Sequence, residues 1–396
     1  MKGRKIFLSF LAVVLIFTLI GSCLIIHAAK EESQTYAPVG YINVVAMGAI
    51  ADDGKDDTRA FINAFATGMP VYVPQGEFIV SQPLRTTSQL LVGAGAEKSR
   101  IIAKIEDTKQ PIMYPGNGGS YIRDITLGYA DGYVTGNEDV GERVGMYTGN
   151  TWAFGMGTSL RNVIFENVGT AVYSLDGDQY AMFSATFENV TVKDFSFRGF
   201  DIRGLIRTGN YWRNIYMTSK YTVDSALYLD GEESETVFTG IVVENLKARE
   251  PIHLLGLRGL KMSGISLRNV ELRDDESGYI YLDNTNGTID SIHIENGKVK
   301  NYCSLFKLGR GDFYVNHGKG VETSYITVNV LNVENLHNGN IADKNFTFAS
   351  RSLDIGDYSL EIKNYLYSTK NSDDAKYKAF AKDSDTILLT LMGKEQ

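Results

Sequence analysis

The segment Leu227-Tyr228-Leu229-Asp230 is one of six short segments that alternate apolar and polar residues along this chain. Their last apolar residues lie 25 to 28 positions apart, at Leu175, Ile202, Leu229, Leu254, Leu282 and Leu308. Such alternation is typical of a strand with one buried face. A period in this range, with one such strand per repeat, predicts a solenoid in which each repeat is one turn of the backbone.

Asparagine recurs at the end of a second strand, about once per repeat. The segments concerned end at Asn167, Asn189, Asn245, Asn269, Asn296 and Asn335. Asparagine tolerates left-handed turn conformations, and its amide both donates and accepts hydrogen bonds. We therefore predict a ladder of stacked Asn side chains at one corner of the coils, with an inserted loop around residues 309–322.

Composition agrees with a single elongated body. Hydrophobic residues make up 43% of the chain and charged residues 22%, so a large core can form. The net charge is -8 and no run of basic residues occurs, which argues against nucleic acid as a partner.

The N-terminus has the order of an export signal, because basic residues precede an apolar run over residues 6–26. Three interpretations remain open: a secretory signal peptide cleaved near Ala28-Ala29, a lipoprotein acylated at Cys23, and an uncleaved membrane anchor. Each predicts that residues 30–396 lie outside the cytoplasm, secreted or attached to the membrane. If Cys23 belongs to the signal, Cys303 is the only remaining thiol and no intrachain disulfide can form.

The passage after the signal carries a family resemblance. An acidic turn, Asp52-Asp53-Gly54-Lys55-Asp56-Asp57-Thr58, leads into Arg59-Ala60-Phe61-Ile62-Asn63-Ala64-Phe65, whose apolar residues share one helix face. Asp57 is placed to cap this helix. Strands around Val71-Tyr72-Val73-Pro74-Gln75-Gly76 and Leu91-Val92-Gly93 follow. Over residues 43–103 this passage resembles the opening of the pectate lyase superfamily.

The resemblance implies an all-β fold, a right-handed single-stranded parallel β-helix whose first coil is covered by a helix near residues 57–66. Members with this opening mostly act on polysaccharides, as pectin-type lyases, glycoside hydrolases and phage tailspikes. The expected organisation is a signal peptide or anchor at 1–29, a linker at 30–40, the β-helix at 41–340 and capping strands at 341–396.

The outward side chains of the repeated strand define the candidate site. If the marker residues point inward, their neighbours form two outward columns. The first column is Ser174, Asp201, Tyr228, His253, Tyr281 and Lys307, and the second is Asp176, Arg203, Asp230, Leu255, Asp283 and Gly309. The candidate catalytic residues fall in one solvent-facing patch about 15 Å across, and they are Asp176, Asp201, Arg203, Tyr228, Asp230 and His253. The alternative is a surface ladder of ion pairs, since Asp176, Arg203 and Asp230 alternate in sign.

Two reactions fit this patch. Hydrolysis would use Asp201 and Asp230, about 8 Å apart, or Asp176 and Asp230, about 9.6 Å apart, both near the separation of an inverting pair. The polygalacturonase family has an adjacent Asp-Asp pair on this strand and a Gly-His-Gly motif, and the absence of both here argues against pectin hydrolysis. Elimination would use Arg203 or Tyr228 as the base, and carboxylates such as Asp176 and Asp178 would hold Ca²⁺ if the lyase is calcium-dependent.

Flat aromatic surface for sugar rings would come from Trp152, Trp212, Tyr211 and Tyr281, with packing under a loop as the alternative for the tryptophans. Motifs of zinc, nucleotide and serine-hydrolase sites are absent from the sequence. The sequence therefore favours an extracellular enzyme that degrades an acidic polysaccharide, with a glycoside hydrolase preferred. The alternatives are a polysaccharide lyase on uronate-containing glycans and a non-catalytic carbohydrate-binding, tailspike-like surface protein. The metal requirement and the oligomeric state stay open.

Overall fold

The computed structural model describes residues 37–86, 89–114, 121–148, 155–174, 182–203, 209–231, 236–300, 302–309, 324–336, 347–351, 358–369 and 390–391. Every strand pair in these residues is parallel, and each strand pairs with its equivalent in the next coil. The family fold expected from the sequence is confirmed: the chain is an all-β parallel solenoid with very little helix.

The first coils contain short strands and the two helical segments. Their bounds are β1 Ile42–Asn43, a 3₁₀ turn Val44–Met47, α1 Thr58–Ala66, β2 Val71–Val73, β3 Gly76–Val80, β4 Leu84–Arg85, β5 Leu90–Gly93, β6 Ser99–Ala103, β7 Met113–Tyr114, β8 Tyr121–Tyr129, β9 Val144–Tyr147 and β10 Gly155–Met156.

Longer strands build the middle and the end. They are β11 Ser159–Tyr173, β12 Met182–Phe183, β13 Thr186–Ile202, β14 Asn210–Thr218, β15 Thr222–Val223, β16 Ser225–Asp230, β17 Thr236–Ala248, β18 Ile252–Leu255, β19 Leu260–Leu272, β20 Gly278–Asp283, β21 Gly287–Glu295, β22 Ser304–Leu308, β23 Ser324–Leu336, β24 Thr347–Arg351, β25 Tyr358–Thr369 and β26 Thr390–Leu391.

Each full coil has three faces, because the long strands bend twice. In β11 the bends fall at Asn162 and Asn167, which have φ of 53° and 50°. We call the three faces A (residues 159–161 of β11), B (163–166) and C (170–173). Asn tolerates the left-handed conformation that each bend requires, so the sequence can turn there without glycine.

Stacked Asn side chains are present, but they form two ladders at two different corners of the coils. Asn245 and Asn269 stack at the B/C corner, with Nδ2 of Asn269 donating to Oδ1 of Asn245 at 2.9 Å. Asn189 lies instead at the A/B corner, where Nδ2 of Asn214 donates to it at 2.9 Å. Assigning Asn189 to the same column as Asn167 was therefore wrong. The reason is that both corners need a left-handed residue and lie only five positions apart in β11.

The inward column on face C confirms the predicted register over most of its length. Ile202, Leu229 and Leu254 are aligned in successive coils and are fully buried. Leu282 and Leu308 continue the column. Leu175 lies outside the described residues. Burying one large aliphatic side chain per coil stabilises each stacking step by about 2 kcal/mol.

One register prediction is wrong. Asp201 pairs with Tyr173, whereas the sequence pattern aligned it with Ser174. The cause is an extra residue in β13: Val168 pairs with Phe195, yet Thr170 pairs with Arg198. A bulge of this kind shifts every later pair by one position and re-aims the side chains beside it.

The predicted helix covers the first coil. Ala60, Phe61, Ala64 and Phe65 form its buried face, and the ring of Phe61 contacts that of Phe78 edge-on at 6.0 Å. The side chain of Asp57 does not cap the helix; it accepts hydrogen bonds from the backbone N–H of Ile50 at 2.9 Å and of Ile79 at 3.3 Å. Asp57 thus joins the cap to the coil beneath it.

The C-terminal strands extend the solenoid. β24 pairs in parallel with β22, and β25 pairs with β23, so the described strands beyond residue 340 continue the repeat. The predicted loop at 309–322 falls almost wholly outside the described residues, as does the export segment at 1–29. Within the described part of the chain, no helix is long and apolar enough to span a membrane.

Candidate functional site

Polar and aromatic side chains form one continuous column on the outer side of face C. Strand register aligns its members in successive coils, and they are Tyr147, Tyr173, Asp201, Tyr228, His253, Tyr281 and Lys307. We call this set column C. It contains four of the predicted site residues, Asp201, Tyr228, His253 and Tyr281. Asp230 lies two residues beyond Tyr228, beside Leu255 and Asp283 of the next coils.

The predicted exposure of this column is wrong. Asp201 and Tyr281 are 0% exposed, and Asp230 and His253 are 4% and 7% exposed. The residues of the column partly bury one another: the His253 ring lies 4.7 Å from the Tyr228 ring and 4.1 Å from the Tyr281 ring. Period-two alternation correctly gives the outer side of the sheet, but it does not reveal what packs over that side.

Asp201 is held by two arginines. Its carboxylate accepts from Nη1 of Arg198 at 2.9 Å and from Nε and Nη2 of Arg203 at 2.7 and 3.0 Å. Burial alone would lower the pKa of Arg203, but the charge and the hydrogen bonds of Asp201 raise it above its ordinary value. Arg203 therefore stays protonated, so it cannot be the base that the sequence analysis considered.

Arg198 also binds a second carboxylate, that of Asp224, at 2.6 Å. Burial would raise the pKa of the Asp224 carboxyl, yet the charge and hydrogen bond of Arg198 lower it below the usual range. The guanidinium of Arg198 lies 3.6 Å from the centre of the Tyr228 ring. Arg198 and Asp224 were not among the predicted site residues, because both precede the alternating segment along the chain.

His253 forms a buried pair with Glu250. Its Nδ1 lies 2.8 Å from Oε2 of Glu250, and the two residues are 7% and 1% exposed. In a neutral imidazole, a carboxylate at Nδ1 favours the tautomer in which that nitrogen carries the proton and Nε2 is the acceptor. Nε2 is buried and has no hydrogen-bond partner among the described residues. Glu250 was also missed, since nothing in its sequence context marks it.

Tyr228 lies between the arginine pair and His253. Its burial, together with the charge of Asp230, raises the pKa of its hydroxyl well above the ordinary value. The hydroxyl therefore stays protonated at neutral pH and is a proton donor, not a base. Leu255 packs with Tyr228 and Tyr281 in a small buried apolar cluster apart from the main core.

The predicted sugar-stacking aromatics separate into two groups. Trp212 lies in the core, 1% exposed, with its ring 4.5 Å from Phe187 and 5.2 Å from Phe238, so it forms no groove wall. Its large apolar ring fills the inward position of face A, and Tyr211 points outward and is 37% exposed. Trp152 and Asp176 lie outside the described residues.

The described residues contain no group of three or more His, Cys, Asp or Glu placed to hold a metal ion. Several acidic residues considered for calcium, among them Asp178, lie outside that part of the chain, so the calcium alternative stays a prediction.

Comparison with known proteins places this geometry in a family. Residues 41–248 match the family model described as rhamnogalacturonase A/epimerase, pectate lyase-like. The pre-neck appendage protein of Bacillus phage phi29 is 34% identical over 118 residues, which is 30% of this chain and 12% of that protein. The equivalent protein of Bacillus phage B103 is 29% identical over 120 residues, or 29% of this chain and 12% of the relative. The chain thus matches about an eighth of the length of these relatives.

Among solved structures, the Agl-KA catalytic domain superposes with a TM-score of 0.51 at 16% identity, covering 85% of this chain and 66% of that domain. This likeness concerns the fold. The family model covers more than half of the chain, and the β-helix described above agrees with it. The chain belongs to the rhamnogalacturonase A/epimerase, pectate lyase-like family.

Proposed function

We propose that this chain cleaves a uronate-containing polysaccharide by elimination, and that column C is the site of the reaction. Membership of a family named for a rhamnogalacturonase and an epimerase supports a polysaccharide-related role. The observation that carries the proposal is the Glu250–His253 pair, whose Nε2 is the acceptor nitrogen and has no partner among the described residues. Perturbed and unpartnered titratable groups in one place are typical of a reaction site.

The elimination needs a base for the proton next to the uronate carboxylate. Nε2 of His253 would take this proton, because Glu250 keeps Nδ1 protonated and stabilises the imidazolium that forms. The electron pair of the broken C–H bond becomes a carbon–carbon double bond as the glycosidic C–O bond breaks. The hydroxyl of Tyr228, which its raised pKa keeps protonated, would donate to the leaving oxygen.

The uronate carboxylate also needs a positive partner, since charge builds up on it as the proton leaves. Arg203 is suited to this role: its Nη1 makes no hydrogen bond to the described residues, and its side chain is 19% exposed. Asp201 would position Arg203 through its two hydrogen bonds to the guanidinium group. His253 is 7% exposed, so a polysaccharide reaches Nε2 only when the contacts over column C open.

Hydrolysis is the second candidate reaction, and the strand register supports it by the separation of two carboxyl groups. Tyr228 pairs with Asp201, so Asp230 lies one coil over and two residues along from Asp201, about 8 Å by strand geometry. This separation suits an inverting carboxyl pair. Both carboxylate oxygens of Asp201 already accept hydrogen bonds from Arg198 and Arg203, which leaves no oxygen free to contact a substrate as a general acid or base. For hydrolysis, Asp230 would therefore need a carboxyl partner other than Asp201.

A substrate panel separates these reactions. The purified chain is incubated with plant and bacterial polysaccharides, and three quantities are measured. New ultraviolet absorbance of an unsaturated uronate supports elimination, and new reducing ends without that absorbance support hydrolysis. Retention on a glycan array without either product would contradict both and support a binding protein.

We further propose that the protein acts outside the cytoplasm, on the basis of the basic and apolar order of residues 1–29. Fractionation of cells that express the full chain tests this. Recovery from the medium or the cell surface agrees with the proposal, and recovery from the cytoplasm contradicts it.

A further inference from the structure

Face A carries a second surface whose chemistry suits a sugar chain. We call it the Tyr/Arg surface, and it comprises Tyr121, Arg123, Arg161, Glu188, Tyr211 and Arg213. The strand register aligns one outward row as Tyr121, Ser159, Thr186 and Tyr211 in four successive coils. Two exposed rings thus bracket two small hydroxyl residues.

The spacing leaves room for a ligand between the rings. Tyr121 and Tyr211 are 43% and 37% exposed, and three coil steps place them about 14 Å apart. A cavity of about 280 Å³ lies on the Tyr121 side, lined by Leu90, Tyr121, Ile122, Arg123, Ser159 and Arg161. Exposed aromatic faces beside a shallow cavity suit the apolar faces of pyranose rings.

The neighbouring outward row is positively charged. Arg123, Arg161, Glu188 and Arg213 are aligned in successive coils. Glu188 contacts both of its arginine neighbours, with Arg161 at 3.7 Å, and Arg123 lies 3.8 Å from Asp124. Three guanidinium groups therefore share two carboxylates. A local excess of positive charge on a chain with a net charge of -8 is complementary to an anionic ligand.

The surface is also rigid. Directly beneath it, the inward residues Phe187, Trp212 and Phe238 pack ring against ring in successive coils. The backbone that carries these side chains therefore needs little rearrangement when a ligand binds.

We propose that the Tyr/Arg surface binds an acidic polysaccharide. Pyranose faces stack on Tyr121 and Tyr211, and carboxylate groups of the sugars bond to the arginines. Because this surface lies on face A, it is separate from column C on face C, and its binding does not depend on the reaction proposed there.

The test is calorimetric titration with oligogalacturonates, and dextran oligosaccharides serve as the neutral probe. The variant Tyr121→Ala/Tyr211→Ala removes the stacking rings, and Arg161→Gln/Arg213→Gln removes two charges. Each should weaken oligogalacturonate binding by about tenfold or more. Tyr302→Ala and Arg268→Gln are the controls, because both residues are exposed and lie outside the surface; both should bind as the wild type does. Dextran should bind weakly to all.

The titrations are repeated in His253→Gln, so that failure of the reaction and failure of this surface are distinguished. Binding that survives His253→Gln and is lost in the face A variants supports the proposal. Wild-type affinity in both face A variants overturns it. A change of oligomeric state in the tyrosine variant with unchanged affinity also overturns it, because the surface would then bind a second copy of the chain.

Discussion

Oε2 of Glu250 lies 2.8 Å from Nδ1 of His253, and both side chains are buried on the outer side of a solenoid strand. Placing a carboxylate in such a position is costly unless it is paired. The pair is not needed to close the coil, since the inward column of face C already packs there. We interpret it as a device that holds one nitrogen of His253 as an acceptor.

Asp201→Asn should chiefly lower stability. The substitution removes the charge that compensates the buried guanidinium group of Arg198 and the partly exposed one of Arg203, so the free energy of unfolding should fall by about 3 kcal/mol. Denaturant unfolding measures this loss. Asp194→Asn is the control, because Asp194 pairs with Lys220 at 3.2 Å on the surface, and the loss there should stay below about 1 kcal/mol. Equal, small losses in both would contradict a buried role for Asp201.

Trp212→Ala should be among the most damaging single changes in the coil. Its ring contacts Phe187, Phe200 and Phe238, and truncation leaves a cavity that costs about 4 kcal/mol of unfolding free energy. Tyr211→Ala, one residue away and outward, should cost under about 1 kcal/mol. Thermal unfolding of the two variants checks the assignment, which similar melting temperatures would refute.

The acid sensitivity of folding should depend in part on Asp224. Its pKa is lowered in the folded chain because Arg198 outweighs the effect of burial. A lowered folded-state pKa contributes stability above the ordinary carboxyl pKa, and this contribution is lost as the pH falls through the folded-state value. Asp224→Asn should therefore be less stable than wild type at neutral pH, and the difference should shrink below about pH 4. A difference that is constant with pH would be inconsistent with this linkage.

Asn269 should matter for both its conformation and its amide. It has φ of 52° and donates to Asn245 at 2.9 Å. Asn269→Ala removes the hydrogen bond and strains the turn, so we expect a loss of about 2 kcal/mol. Asn269→Gly relieves the strain alone and should lose about 1 kcal/mol less. Unfolding curves that do not separate the two variants would show that the left-handed turn is not under strain.

Much of the fold follows from the sequence. The column of Ile202, Leu229 and Leu254 was predictable, because each coil must bury the same face of one strand. The helix over residues 58–66 was predictable from its apolar face. The alignment of Tyr173 with Asp201 was not, since an extra residue in β13 leaves no trace in the hydrophobic pattern.

The site was less predictable than the fold. Alternation places His253 and Asp201 on the outer side of the strand, and register confirms their alignment with Tyr228. Arg198 and Glu250 could not be found in this way, because they precede the alternating segments and the direction of their side chains depends on three-dimensional packing. Whether an outward residue is exposed also depends on the side chains that pack over it. These side chains come from other coils, so the sequence of one coil does not predict the exposure.

The most direct test of the account is the rate at which unsaturated uronate forms in wild type, His253→Gln and His293→Gln, on the substrate that the panel identifies. His293 is the matched control: it lies 3.8 Å from Glu295, its side chain is 32% exposed, and it is on face B. We predict that His253→Gln loses some stability, because it removes the ring contacts with Tyr228 and Tyr281 and the bond to Glu250, but still unfolds cooperatively above the assay temperature. Its rate should fall at least about a hundredfold, as expected for loss of a general base, and His293→Gln should retain the wild-type rate. A His253→Gln variant that folds normally and forms the product as fast as wild type would contradict the central claim.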